Sequence, residues 1–321
     1  MLSTIRRHLR PVKRAYRVVR TSAIDAARAA LSPLMISTTR SVYGTRFKIP
    51  LIRSVGLEHL GGSELWMSDL IRRLLSGGAF IDVGVNVGQT LLKVKSIDPA
   101  VRYLGFEPNP FCVLYSNELV RLNDFRECEI FPIALSDAPA LLELVGISEA
   151  DSGGSMLTDL RPGRPIVRKQ RIPAFDFDGL GLDTHDVQLV KIDVEGAESR
   201  VLAGMKNFLK ATRPCVICEV LHAHDTSTLP AVTARNEGIV ALLHEIGYSI
   251  FRVRKGADRV YALEAISNFP KALWMLASSP ELCDYLFVPI EKAACLEAEF
   301  SNSPPDWGVK KSGSRSPCPR V

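Results

Sequence analysis

From residue 79 onward, short apolar runs alternate with longer stretches whose apolar residues recur at helical spacing. Residues 79–83 (AFIDV), 102–107 (RYLGFE), 129–135 (EIFPIAL), 186–193 (DVQLVKID) and 214–221 (PCVICEVL) are brief, largely apolar and rich in β-branched residues, the pattern of buried strands. Between them, residues 89–97, 110–123, 198–210 and 238–248 carry the 3.6-residue period of helices. YSIFRV and YALEAI complete the sheet, and DYLFVPI reads as a last strand. ALLELVGI and VRKQRIPAF flank a polar Gly/Pro loop at 148–165 and read as added strands. Before the first core strand, residues 41–50 alternate like a hairpin turning at Gly44. Residues 63–78 form an amphipathic helix capped by Ser63 and stopped by Gly77. Strand–helix alternation of this kind predicts an α/β fold, a doubly wound, mostly parallel sheet with helices on both faces.

The ends of the chain differ from this body. Residues 1–39 form a basic amphipathic arm, 40–300 the α/β domain, and 301–321 a Ser/Pro-rich tail expected to be disordered. Seven Lys/Arg and no acid fall within residues 1–20, so the net charge of +5 sits in the arm and the body is near neutral. Extensive nucleic-acid binding by the core is therefore not indicated. The arm can lie on an anionic membrane surface, serve as a targeting peptide, or stay solvated. No run approaches the ~20 apolar residues of a spanning helix. Seven cysteines, an odd number at low density, point to reduced thiols and a cytoplasmic protein, which the arm can hold at the inner membrane surface. Cys215 and Cys218, three apart in one strand, face opposite ways and read as core rather than as a redox or zinc pair.

Doubly wound sheets bind ligands at the carboxyl ends of their strands. The first strand delivers Asp82 into a turn, Gly84-Val85-Asn86-Val87-Gly88, that opens a helix. Gly84 lets the backbone turn sharply, and Gly88 lets the helix pack closely. Asn86 stands where a dinucleotide fingerprint has its second glycine, and Gln89 where it has its third. That favours a nucleotide cofactor without a pyrophosphate, and S-adenosylmethionine fits. Glu107, 25 residues after Asp82, is placed to accept both ribose hydroxyls, since a carboxylate is acceptor-only with two oxygens. Ser136 and Asp137 follow the third strand, with Asp137 placed for the adenine amino group or else a turn residue. Asp193 and Glu195 follow the fourth, facing the transferred methyl or its acceptor, while Glu198 reads as a helix-dipole residue. Glu219 and His222 follow the fifth as candidates for a general base. His222 and His224 share a face if the strand continues, which leaves a metal, a base or plain loop polarity open. No residue is assigned as a metal ligand.

FIDVGVNVGQT, FEPNP (106–110), IALSD (133–137), SGGSM, LVKIDVEGAE and EIGYSIF together resemble the FkbM family of methyltransferases, over about residues 60–261. The resemblance implies a class I Rossmann-like fold and S-adenosylmethionine-dependent O-methylation of a hydroxyl on a sugar, glycan or natural product. It implies cofactor roles for Asp82, Gly84, Asn86, Gly88, Glu107 and Asp137, and Asn109 and Ser136 beside them belong to the same candidate set. Asp193, Glu195, Glu219 and His222 form the catalytic set. The competing readings are a nicotinamide oxidoreductase, disfavoured by the missing glycines, and a non-catalytic binding module of the same fold, disfavoured by the acidic strand ends.

Overall fold

Tyr43 and Gly44 both take positive φ, 52° and 82°, and close a tight turn between β1 (Ile36–Val42) and β2 (Thr45–Leu51). The computed structural model describes residues 36–52, 55–56, 59, 63–146, 168–274 and 283–301. The basic arm at 1–35, the whole 148–165 loop with its SGGSM, and the tail from 302 lie outside the described residues.

Helix α1 (Leu65–Leu74) buries Trp66, Met67, Leu70 and Ile71 against the sheet. Its first turn follows Glu64 in the left-handed region, not a Ser63 side-chain cap. The Ser63 carbonyl instead accepts from the Tyr43 hydroxyl at 3.1 Å. Then come β3 (Ala79–Val83), α2 (Gln89–Ile97), β4 (Arg102–Phe106), α3 (Pro110–Asn123) and β5 (Cys128–Phe131). Both helices have the bounds read from sequence, because Gly88 precedes one and Pro110 begins the other.

The third predicted strand divides in two. Pro132, which cannot donate to a ladder, ends β5, and β6 (Ala134–Leu135) leaves to join a small sheet ordered β6, β8 (Arg168–Phe175), β7 (Ala140–Gly146). The predicted helix over 198–210 also divides, into α4 (Glu198–Gly204) and α5 (Lys206–Thr212). At that break a Cβ on Gly204 would lie 1.9 Å from the Ser136 carbonyl oxygen, so the helix end packs on the β6 exit as only glycine can.

The remaining elements are β9 (Val187–Ile192), β10 (Cys215–Glu219), α6 (Leu229–Glu245), β11 (Tyr248–Lys255), β12 (Val260–Ile266), β13 (Asp284–Pro289) and α7 (Ile290–Ser301). The main sheet runs β12-β11-β13-β10-β9-β3-β4-β5. Strands β3, β4, β5, β9 and β10 are parallel, and β13 enters antiparallel between β10 and β11. This is a doubly wound, mostly parallel sheet, with strand order reversing between β3 and β9, where such sheets form a crevice.

Strand alternation splits the core between the two faces. Phe80, Leu189, Cys215 and Ile217 pack with α1, α2 and α7, whereas Ile81, Val83, Val216 and Cys218 pack with α4, α5 and α6. Cys215 and Cys218 therefore lie in different cores, and both are free thiols. Among the described residues no helix is long and apolar enough to cross a membrane.

Candidate functional site

The carboxyl ends of β3, β4 and β9 are laced together by the backbone. Gly84 N–H donates to Phe106 at 2.9 Å, and Asp193 N–H to Val83 at 3.0 Å. Gly84 is held at φ 89°, and a Cβ there would lie 1.9 Å from the Asp193 carbonyl oxygen. The glycine is needed because two strand ends converge on it.

Glu107 leaves β4 into the resulting crevice. Asn86 N–H donates to its Oε2 at 2.7 Å and Asn109 N–H to its Oε1 at 2.8 Å. Each oxygen is aimed by one amide and keeps acceptor capacity for a ligand. Burial pushes this carboxyl up to about 7, against the pull of those two amides. Asn109 also caps α3 by accepting from Phe111 N–H at 3.1 Å. Asn86 takes φ 51°; its carbonyl accepts from Ser116 Oγ at 2.8 Å and its side-chain oxygen from Cys112 Sγ at 3.5 Å. A shallow cavity of about 80 Å³ lies here, lined among others by Gly84, Asn86, Glu107, Asn109, Asp193 and Glu195.

Asp82 lies beneath this crevice and lines neither cavity. It is fully buried, accepts a short hydrogen bond from the Tyr103 hydroxyl, and pairs with Lys191 Nζ at 3.4 Å. Burial raises its carboxyl, and Lys191 and Tyr103 act against that. Lys191 Nζ also reaches Asp193 at 3.3 Å and the Gly84 carbonyl at 3.2 Å. Burial lowers this ammonium, but Asp193 and Asp82 outweigh it and raise it overall. Lys191 thus ties the buried acid, the glycine turn and Asp193 into one unit. Its face was legible from strand alternation; Tyr103 gave no sequence signal beyond lying on the neighbouring strand.

Asp193 borders a second cavity of about 420 Å³, which also reaches Trp66, Glu219, Lys255, Trp274 and Asp284. Antiparallel register sets Glu219 opposite Asp284. Glu219 is hydrogen-bonded to Asp193, and burial with the Asp193, Asp284 and Glu195 carboxylates holds its carboxyl well above the usual range. Burial likewise pushes Asp284 up to about 6, while the short ion pair with Lys255 pulls it down. Asp284 and Lys255 were missed in sequence because only the insertion of β13 beside β10 brings them here.

Of the other candidates, Ser136 and Asp137 directly follow Ala134 and Leu135, which line the Glu107 cavity. Gly88 packs against α3, where a Cβ would meet Leu119 at 2.9 Å. Ser136 and Asp137 follow β6 in the small sheet; Ser136 is buried and donates to the exposed Asp137 at 2.9 Å. β10 ends at Glu219, so His222 is buried and His224 exposed, and His222 lines neither cavity. Burial and nearby Arg252 lower the His222 imidazole. Among the described residues no group of three or more His, Cys, Asp or Glu is arranged to hold a metal ion.

Glu198 is a buried carboxylate whose Oε1 accepts from Gly196 N–H at 2.8 Å. Burial, reinforced by Asp193 and Glu195, pushes it up to about 7. A raised carboxyl stabilises the fold fully below its unfolded value, near 4.5, and that contribution is lost as pH rises through about 7. Glu198→Gln keeps an acceptor but cannot ionise. Relative to wild type, it should gain stability between pH 5 and pH 8, by at most about 3 kcal/mol. Urea unfolding at both values checks this, and parallel stability in the two proteins would contradict it.

The family model of the Methyltransferase FkbM domain matches residues 82–250. No curated protein matches the chain. Among solved structures, a methyltransferase FkbM from Methylobacillus flagellatus KT is similar at 14% identity, covering 66% of this chain and 43% of that one, with TM-score 0.39. A SAM-dependent methyltransferase from Aquifex aeolicus is similar at 11% identity (70% and 89% covered, TM-score 0.37). A SAM-dependent O-methyltransferase from Thermotoga maritima is similar at 12% (70% and 64%, TM-score 0.36). The chain spans less than half the length of the first of these. Overlaps this loose add nothing to the fold already described.

Proposed function

Because the chain belongs to the FkbM methyltransferase family, we propose that it transfers the methyl group of S-adenosylmethionine to a hydroxyl oxygen of a small molecule, a sugar, glycan or natural product. The observation that carries this reading is Glu107: a carboxylate at the end of β4, aimed into a crevice by the amides of Asn86 and Asn109. That is a receptor for a vicinal diol such as a ribose. When bound, S-adenosylmethionine supplies an electrophilic methyl on a cationic sulfur.

The chain's own residues do the rest. Glu107 accepts from the ribose hydroxyls, and the Gly84 turn leaves room beside Asp193. The carboxylates around Asp193 favour a positive charge at that point. Asp193, where the two cavities meet, receives the proton of the attacking hydroxyl as the new C–O bond forms and the bonding pair returns to sulfur. Glu219, hydrogen-bonded to Asp193, orients it. Alignment and exclusion of water supply most of the rate. The basic arm adds a peripheral contact with an anionic membrane surface in this proposal.

Methyl-labelled S-adenosylmethionine with a panel of sugars and hydroxylated natural products tests the reaction. Label should appear in an alkali-stable ether, and Asp193→Asn should lower kcat about 100-fold or more. Label on nitrogen or carbon would reject O-methylation.

A further inference from the structure

The second cavity has a feature the methyl-transfer reading does not require. Every ammonium in its described lining is already engaged by carboxylate. Lys191 is held by Asp82 at 3.4 Å and by Asp193 at 3.3 Å. Lys255 is paired with Asp284 and lies 3.9 Å from the centre of the Trp66 ring. An anionic group entering here would meet Asp193 and Asp284 with no uncommitted cation to receive it, and like charges at such range repel strongly inside a protein. Glu219 adds a carboxyl that burial and the Asp193, Asp284 and Glu195 carboxylates hold above the usual range. Trp274, partly exposed, adds an apolar aromatic wall. At about 420 Å³ the space falls in the range of small-molecule sites.

We propose that this second cavity, which meets the donor crevice at Asp193, holds the methyl acceptor and selects by charge, admitting neutral or cationic hydroxylated compounds and rejecting anionic ones. The assignment rests on the donor occupying the Glu107 crevice. The Asp284–Lys255 pair is then the specificity element: its carboxylate both repels an anion and withholds the Lys255 ammonium from it.

The test uses the full chain and three probes of similar size: methyl α-glucopyranoside, glucosamine and glucuronate. Their binding is followed by ligand-detected NMR with and without S-adenosylhomocysteine, whose own binding is measured by calorimetry. Methyl glucoside and glucosamine should bind in the presence of S-adenosylhomocysteine, and glucuronate at least about tenfold more weakly. Asp284→Asn, which frees Lys255, should strengthen glucuronate binding about tenfold. Glucuronate binding as well as the others, neither non-anionic sugar binding, or S-adenosylhomocysteine displacing the sugars would each overturn the proposal. Failure of S-adenosylhomocysteine itself to bind would reject the donor reading separately, and the sugar ranking measured without it would still decide the charge selection.

Discussion

Asp82→Ala should destabilise the protein by about 3–5 kcal/mol, a large part of the 5–15 kcal/mol that holds a typical domain. The carboxylate is completely buried, accepts from the equally buried Tyr103 hydroxyl, and faces Lys191. Alanine strands a buried phenol and leaves the Lys191 ammonium only Asp193 and the Gly84 carbonyl. Leaving one buried charge uncompensated costs more than losing the pair. Asp82→Asn keeps an acceptor for Tyr103 and should cost less. Adding Lys191→Met to Asp82→Asn should recover part of the loss, giving a coupling of about 0.5–3 kcal/mol between the two sites. Urea unfolding of wild type, Asp82→Asn, Lys191→Met and the double variant measures it. A cost below about 1 kcal/mol for Asp82→Ala would show that the triad is not what holds the β3 end in place.

Glu107→Ala should weaken binding of S-adenosylhomocysteine at least about 100-fold, because two hydrogen bonds to a charged acceptor are lost at about 1.5–3 kcal/mol each. Glu107→Gln should not rescue it. Both carboxylate oxygens already accept a backbone N–H, so an amide would set its NH₂ against Asn86 or Asn109. The same carboxyl predicts a pH profile. Burial holds it near 7, and only the ionised form accepts from both hydroxyls. Affinity should therefore fall about fivefold between pH 7 and pH 6 and level off above pH 8. Calorimetry across that range checks the sign, and affinity that rose on acidification would contradict the role given to Glu107.

Much of this was legible in the residues. The Gly84–Gly88 turn and the spacing to Glu107 placed a crevice at these strand ends because local chemistry, a positive-φ turn and a strand-end acid, fixes both. What the linear pattern could not supply was register. Asp82 is opposite Gly105 on one side and Lys191 on the other. That pairing, with Tyr103 two residues before the glycine, turns an expected ligand-facing acid into a buried anchor. Asp284 belongs to the site only because β13 inserts beside β10, a long-range pairing with no local signature. In the other direction, periodicity read residues 129–135 as one strand, although Pro132 divides them and carries Ser136 and Asp137 to a different sheet.

The most direct measurement is a crystal structure of the full chain with S-adenosylhomocysteine. The account predicts both ribose hydroxyls within hydrogen-bonding distance of the Glu107 carboxylate and the sulfur directed towards Asp193. A ribose bound elsewhere, or a Glu107 crevice left empty at saturating ligand, would contradict it.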